Sequence, residues 1–149
     1  PFIYIPASTF DHCVAVEDQM RTLNCVHKHL DENGTFAFDL EQVTPVKPQA
    51  SWWIDRKQIG GGRMVVRTTF TRRNMAERKC SLDLFFDVYM NGKLLERYHE
   101  YGEVAIISKK EITELLGETG FKIDAIYGDF DKSAYQKESS RIVLVTTKK

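Results

Sequence analysis

The 149-residue sequence lacks several features that would point directly to a function. Its formal net charge is zero, with 21 basic and 21 acidic residues, so charge gives no reason to expect nucleic acid or an anionic membrane as a partner. No apolar run reaches the roughly 18 residues of a membrane span, and no basic segment followed by an apolar one indicates a signal peptide. We therefore expect neither a membrane anchor nor a secretion signal.

Cysteine is scarce, since the chain has three, Cys13, Cys25 and Cys80. Their odd number and wide spacing predict reduced thiols and a cytoplasmic protein rather than a disulfide scaffold. No Cys-x-x-Cys pair is present, and His27 and His29 lie two positions apart on a predicted helix, on different faces. The sequence therefore predicts no metal site.

The amino terminus has no lead-in, because the chain opens directly on the apolar run Phe2–Ile5. We expect this run to form a buried strand. Removal of an initiator methionine from a Met-Pro start and excision from a longer chain both explain such an opening. The length is sufficient for one domain that buries roughly 70% of its unfolded surface.

Spacing and capping signals predict two helices. The first runs from Glu17 to Leu30 and carries one apolar stripe at helical period. Its members are Val16, Met20, Leu23, Val26 and Leu30. The second helix opens on a capping box, with Ser108 at the N-cap and Glu111 three residues later, and it ends at Gly120.

Strands account for most of the remaining sequence. A strand at Thr35–Leu40 follows the first helix, and a polar loop with Pro45 and Pro48 comes after it. Asn91-Gly92 is a strong type I′ hairpin signal. Further extended segments are predicted at residues 51–59, 63–72, 80–90, 93–107, 121–127 and 141–147. The sum is a single α/β domain, in which residues 1–48 and 108–149 form the α/β part and residues 49–107 form an antiparallel insertion.

Four blocks lie in order along nearly the whole chain. They are Phe10-Asp11-His12 with Val16-Glu17-Asp18-Gln19, Leu30 with Gly34-Thr35-Phe36 and Phe38-Asp39-Leu40, Ile112 with Leu115-Leu116 and Gly120-Phe121, and Tyr127-Gly128-Asp129-Phe130-Asp131 with Ser140-Arg141. Together they resemble class I S-adenosylmethionine-dependent methyltransferases. The resemblance implies a partial Rossmann-like methyltransferase sheet, strands four to seven of that family, with an inserted antiparallel β-meander.

The glycine-rich G-x-G-x-G loop of that family, and the acidic residue that ends its second strand, do not occur in the 149 residues. Gly60-Gly61-Gly62 is no substitute, because the alternation on both sides of it predicts a hairpin turn. The resemblance therefore implies S-adenosylmethionine as the cofactor, with its site at most half present. It also implies that the chain by itself binds the cofactor weakly or not at all and is inactive.

Candidate site residues follow strand ends, because ligands collect at the carboxyl ends of strands in α/β sheets. Asp39 lies at such an end and either faces a cofactor or caps the following loop. Pro6, Ser8 and Thr9 follow the first strand, where the resemblance implies a cofactor-binding loop, although all three are ordinary turn residues. His12 is the best-placed histidine for acid–base catalysis, and a packed or solvated histidine is the alternative.

The hairpin at Asn91-Gly92 predicts one face of like charges, because cross-strand partners around a two-residue loop sum to 183. The residues on that face are Asp83, Phe85, Asp87, Glu96, Tyr98 and Glu100. Two explanations remain open. The face holds a cationic substrate between carboxylates and aromatic rings, or a neighbouring strand covers it with Arg63, Arg67 and Arg73. We favour the arginines.

The function implied by the resemblance is methyl transfer from S-adenosylmethionine to an unknown small-molecule or protein acceptor, in which the protein mainly aligns donor and acceptor. The alternative is a non-catalytic module, derived from a methyltransferase, that oligomerises or binds a partner. The resemblance also implies that Phe2–Ile5 lacks the strand that would normally pair with it, and such an unpaired edge favours a homodimer. Trp52 and Trp53 point to opposite sides of their strand, so we expect one in the core and the other in a pocket or a subunit contact.

Overall fold

The computed structural model of the protein describes residues 1–42 and 49–149. The chain divides into two compact units, one made of Pro1–Lys47 with Ala105–Lys149 and the other of Pro48–Val104. The predicted loop residues Pro45 and Pro48 lie outside the described residues. The helices and strands, in chain order, are β1 Phe2–Ile5, α1 Val16–His29, β2 Thr35–Glu41, β3 Ala50–Ile59, β4 Arg63–Asn74, β5 Lys79–Met90, β6 Lys93–Ala105, α2 Lys109–Glu118, β7 Phe121–Tyr127 and β8 Arg141–Lys148.

The first unit contains a mixed four-stranded sheet in the order β1-β2-β8-β7. Strand β1 runs parallel to β2, and β8 pairs antiparallel with both β2 and β7. The sheet and its two helices enclose one apolar core. Its fully buried large side chains include Phe10, Leu23, Phe36, Leu40, Ile112, Leu116, Phe121, Ile142 and Leu144.

Both predicted helices are confirmed, with ends within one or two residues. In α1 the apolar stripe faces the core through Leu23, and its first member, Val16, is exposed. In α2 the Ser108 hydroxyl accepts from the Glu111 N–H, and the Glu111 carboxylate accepts from the Ser108 N–H at 2.9 Å. This reciprocal pair satisfies two N–H groups that the first turn leaves without helical partners.

Strand β1 differs from its prediction as a buried strand. Ile3 and Ile5 pack against the core, whereas Phe2 and Tyr4 are 61% and 63% exposed and stack on each other with ring centroids 5.7 Å apart. The alternation arises because β1 is an outer strand of its sheet and has the core on one face.

The second unit contains a four-stranded sheet in the order β3-β4-β5-β6. Gly60-Gly61-Gly62 is the turn between β3 and β4, as predicted. The two-residue hairpin between β5 and β6 is also confirmed, because Asn91 and Gly92 both adopt positive φ, 50° and 75°.

The predicted face of like charges is wrong. Asp87 is held by Arg97, and Asp83 lies 2.8 Å from Nε2 of His99, so Arg97 and His99 of β6 lie where the alternation predicted Glu96 and Glu100. A one-residue slip in the pairing moves every side chain of a strand to its other face. The carboxylates are therefore already paired within the β5–β6 hairpin.

The arginines that were expected to cover those carboxylates lie on the opposite face of the sheet. Arg67 is the register partner of Phe86, not of an odd-numbered β5 residue, and its guanidinium pairs with Asp55 on β3. The two tryptophans also depart from expectation, since Trp52 is 67% and Trp53 42% exposed. Strand β3 is an outer strand whose side chains are exposed along most of its length, so neither ring reaches a core.

Candidate functional site

The carboxyl ends of β1 and β2 lie side by side, because these two strands are parallel neighbours. The loop after β1 leads into a short 3-10 helix, Thr9–His12. Ala7 and Ser8 both adopt left-handed backbone conformations, with φ of 58° and 55°. Such conformations cost non-glycine residues about 1–3 kcal/mol each and persist where surrounding contacts hold them. The loop is therefore held in a fixed shape at the edge where ligands of α/β sheets bind.

Asp39 makes the contacts that hold Ser8 in its left-handed conformation. Its Oδ2 atom accepts hydrogen bonds from the Ser8 N–H at 2.9 Å and the Ser8 hydroxyl at 3.0 Å, and it forms an ion pair with the Arg141 guanidinium. Asp39 is 1% exposed, so its carboxylate faces the protein interior. The structure thus brings Ser8 and Asp39 together. The buried Asp39 carboxylate holds the loop through its hydrogen bonds to Ser8.

Pro6, Thr9 and His12 are exposed, unlike Asp39. The Thr9 hydroxyl donates to the Pro6 carbonyl at 2.6 Å, and the Thr9 N–H donates to the same oxygen at 3.2 Å. His12 ends the 3-10 helix. These three residues form the outer surface of the loop and are accessible to a ligand.

Sequence reasoning missed Asp11, which lies on the 3-10 helix and is 4% exposed. Its Oδ2 atom accepts a hydrogen bond from the Glu41 N–H at 3.1 Å and so ties the helix to the end of β2. Burial raises the pKa of Asp11 to about 7, and the Glu41 N–H opposes that shift. The sequence feature that could have indicated Asp11 is its position between two aromatic residues, Phe10 and His12, in the first of the four blocks.

Arg141 was also missed as a site residue. It begins β8, next to the end of β2, and is the register partner of Glu41. Its guanidinium contacts Asp39 and Ser8 and lies 4.8 Å from the centroid of the exposed Phe130 ring. Arg141 therefore connects the buried acid to a surface aromatic residue on the β7–β8 link.

Across residues 1–42 and 49–149, no group of three or more histidine, cysteine, aspartate or glutamate side chains could hold a metal ion. Neither helix in these same ranges is long and apolar enough to cross a membrane.

No protein-family model matches the chain, and no curated protein matches its sequence. Solved structures do share its fold. A S-adenosylmethionine-dependent methyltransferase from Clostridium acetobutylicum ATCC 824 covers 98% of this chain with a TM-score of 0.79 at 17% identity. Streptomyces venezuelae DesVI covers 99% with a TM-score of 0.78 at 13% identity. CalS10, a S-adenosylmethionine-bound amino pentose methyltransferase from Micromonospora echinaspora, covers 99% with a TM-score of 0.76 at 13% identity.

The chain spans little more than half of these structures, 57% of the first chain and 58% of each of the other two. The predicted fold class is confirmed: the chain has part of a methyltransferase-like α/β fold, with two sheets and few helices. At these sequence identities the likeness concerns the fold alone.

Proposed function

We propose that the chain takes part in methyl transfer from S-adenosylmethionine and forms one side of the site, at the loop after β1. The observation that supports this proposal best is the methyltransferase-like fold, which extends over 98% of the chain. In this fold the strand ends hold an exposed loop in a fixed conformation. The acceptor is a small molecule or a protein of unknown identity. When bound, the cofactor supplies an activated methyl group on a sulfonium.

The loop fits one side of such a cofactor. Pro6 and Thr9 are exposed, and Ser8 is half-buried with its N–H and hydroxyl engaged by Asp39. In the proposal, Pro6, Ser8 and Thr9 border the cofactor, and Asp39 keeps their backbone in place rather than contacting it. His12 can accept the proton that the acceptor releases. The glycine-rich loop and the strand-end acid do not occur in these 149 residues, so we propose weak binding and no methyl transfer by the chain alone.

The proposal is tested by amide chemical shifts of the ¹⁵N-labelled chain during titration with S-adenosylhomocysteine, the demethylated product. We expect progressive shifts at Ser8, Thr9 and His12, without saturation in the low-micromolar range. Ser8→Ala should weaken the response, because it removes the hydroxyl that Asp39 holds. Ser81→Ala, in the second unit, is the matched control and should leave the response unchanged.

Two outcomes contradict this proposal in different ways. Shifts absent from the loop at millimolar ligand overturn its role at the site. If calorimetry shows that the isolated chain binds S-adenosylhomocysteine with low-micromolar affinity, the proposal that the cofactor site is at most half present is wrong, although cofactor binding itself is supported.

A second candidate function is a non-catalytic module that self-associates, and one observation favours it. Among residues 1–42 and 49–149, strand β1 is an outer strand, with Phe2 and Tyr4 exposed on one face and no strand paired with its outward backbone edge. Such edges template pairing with another chain, and a two-fold axis lets one edge cover its copy. We propose a homodimer through β1. Light scattering at micromolar concentration should give twice the 17.2 kDa chain mass, and Tyr4→Lys should return the monomer.

A further inference from the structure

Two buried carboxyl groups lie beneath the candidate loop. Asp11 comes from the 3-10 helix and Asp39 from β2, and both are more than nine-tenths buried. In each, Oδ2 accepts hydrogen bonds, whereas Oδ1 is buried and has no hydrogen-bond partner within residues 1–42 and 49–149. A buried carboxylate oxygen without a donor costs free energy, and the cost is smaller for a neutral carboxyl group, which holds a proton, than for an ionised one.

The charges around Asp11 do not balance if every acid is ionised. Glu41 and Asp39 face it from β2, and Arg141 faces it from β8. Arg141 forms its ion pair with Asp39. Glu41 is exposed and reaches solvent, so the surplus negative charge would be that of Asp11, inside the protein. A buried charge without its own partner is strongly destabilising.

We propose that Asp11 holds a proton in the folded chain near neutral pH and that this proton fastens the 3-10 helix Thr9–His12 to the end of β2. When Asp11 loses the proton, its charge is repelled by Asp39 and Glu41 and is disfavoured by burial. The helix then separates from β2 to hydrate the carboxylate, and the Glu41 N–H loses its acceptor. The raised pKa of Asp11, about 7, agrees with this geometry.

The Asp11 proton would control the candidate site, because the same segment carries Ser8 and Thr9. Above neutral pH the loop loosens and ligand binding at this edge weakens. This consequence rests on the proposed function. The fastening of the helix by Asp11 is a property of the chain alone and is measured without ligand.

The direct test is NMR of the Asp11 side-chain carboxyl carbon between pH 4 and pH 9, with the Glu41 amide followed in parallel. We expect a midpoint near pH 7 for the carboxyl and the same midpoint for the Glu41 amide and for hydrogen exchange across the 3-10 helix. Asp11→Asn, which cannot ionise, should remove that midpoint and keep exchange slow at pH 9. Asp31→Asn, an exposed aspartate in the same unit, is the control and should leave the midpoint in place.

A carboxyl midpoint near the ordinary ~3.9, or a Glu41 amide insensitive to the titration, overturns the proposal. Both readouts, the carboxyl midpoint and the response of the Glu41 amide, are measured on the wild-type chain. The proposal can therefore be tested even if Asp11→Asn does not fold. Absence of a response to S-adenosylhomocysteine together with a carboxyl midpoint near 7 refutes the proposed function and leaves the role of the Asp11 proton intact.

Discussion

Arg97 forms a bidentate ion pair with Asp87, with its Nε atom 2.6 Å from Oδ1 and its Nη2 atom 2.7 Å from Oδ2. The pairing of two parallel N–H donors with one carboxylate is the strongest common form of ion pair. It lowers the pKa of Asp87, whose side chain is buried although Arg97 is exposed. The carboxylate of β5 is thus neutralised by its own hairpin.

Arg97→Ala should therefore lower the urea midpoint more than Arg67→Ala does. The first change leaves a buried carboxylate without its donors, which costs more than losing an exposed pair. The second breaks the Arg67–Asp55 pair, in which both side chains are about half exposed, and such pairs are worth about 0–1 kcal/mol. Equal midpoints for the two variants would contradict the buried-carboxylate argument.

Folding stability should fall as pH rises from about 4 to about 7. The pKa of Asp11 is raised from 3.8 to about 7 on folding, so the folded chain binds more protons than the unfolded chain across this window. The contribution is full below the lower value, is lost as pH rises through the upper one, and amounts to about 4 kcal/mol at most. Urea unfolding of wild type and Asp11→Asn at pH 5 and pH 8 measures it. The variant should gain relative stability at pH 8, and an unchanged difference between the two pH values would refute the assignment.

Gly120→Ala should destabilise the chain, and Gly117→Ala should not. Gly120 has a φ of 82°, and a Cβ placed there would lie 2.9 Å from Nε2 of His27. Alanine at a positive-φ site costs more than about 1 kcal/mol. A Cβ on Gly117, inside α2, would meet only the end of Lys149 at 3.9 Å, so alanine there should add about 0.5–1 kcal/mol. Thermal melts should show a lower melting temperature for Gly120→Ala and a higher one for Gly117→Ala. Changes of the same sign in both variants would contradict the assignment of the Gly120 effect to its positive φ.

Ser108→Ala should cost about 1 kcal/mol, because it removes the acceptor for the Glu111 N–H at the start of α2. Ser108→Thr should recover most of that loss, since threonine also caps helices and its hydroxyl can both accept from the Glu111 N–H and donate to the Glu111 carboxylate. Thr113→Ala is a suitable control, because its hydroxyl only repeats a bond to the helix carbonyl of Lys109. If Thr113→Ala is as costly as Ser108→Ala, the cap is not the cause.

Local signals made the two helices and the Asn91-Gly92 turn predictable from sequence. A cap, an apolar period and a positive-φ dipeptide each act within a few residues. The partners predicted for Asp87 and Asp83 were wrong, because the alternation rule extends the pairing from the loop without interruption, whereas Arg97 and His99, not Glu96 and Glu100, contact these carboxylates. The exposure of Trp52 and Trp53 also depends on strand order, which no local pattern encodes.

Part of the candidate site was predictable, because Ser8 lies in the loop after β1 and Asp39 lies near the carboxyl end of β2. The remainder was not, because its contacts join distant segments. Asp11 meets the Glu41 N–H from 30 positions away, and Arg141 meets Asp39 from 102. Sequence spacing gives no information on such pairs, whereas the parallel β1–β2 arrangement and the antiparallel entry of β8 bring them to one edge.

The placement of β8 has a consequence for how the chain is made. Residues 141–148 form an inner strand of the first sheet, between β2 and β7, and pair with both. During synthesis β1 and β2 leave the ribosome before the second unit does, yet β2 waits for its second neighbour until the whole second unit and α2 have emerged. The sheet of the first unit is therefore completed only after β8 has emerged. In a nascent chain halted before residue 141, the backbone edge of β2 is left open beside Phe36, Phe38 and Leu40, where chaperones or a second chain can bind.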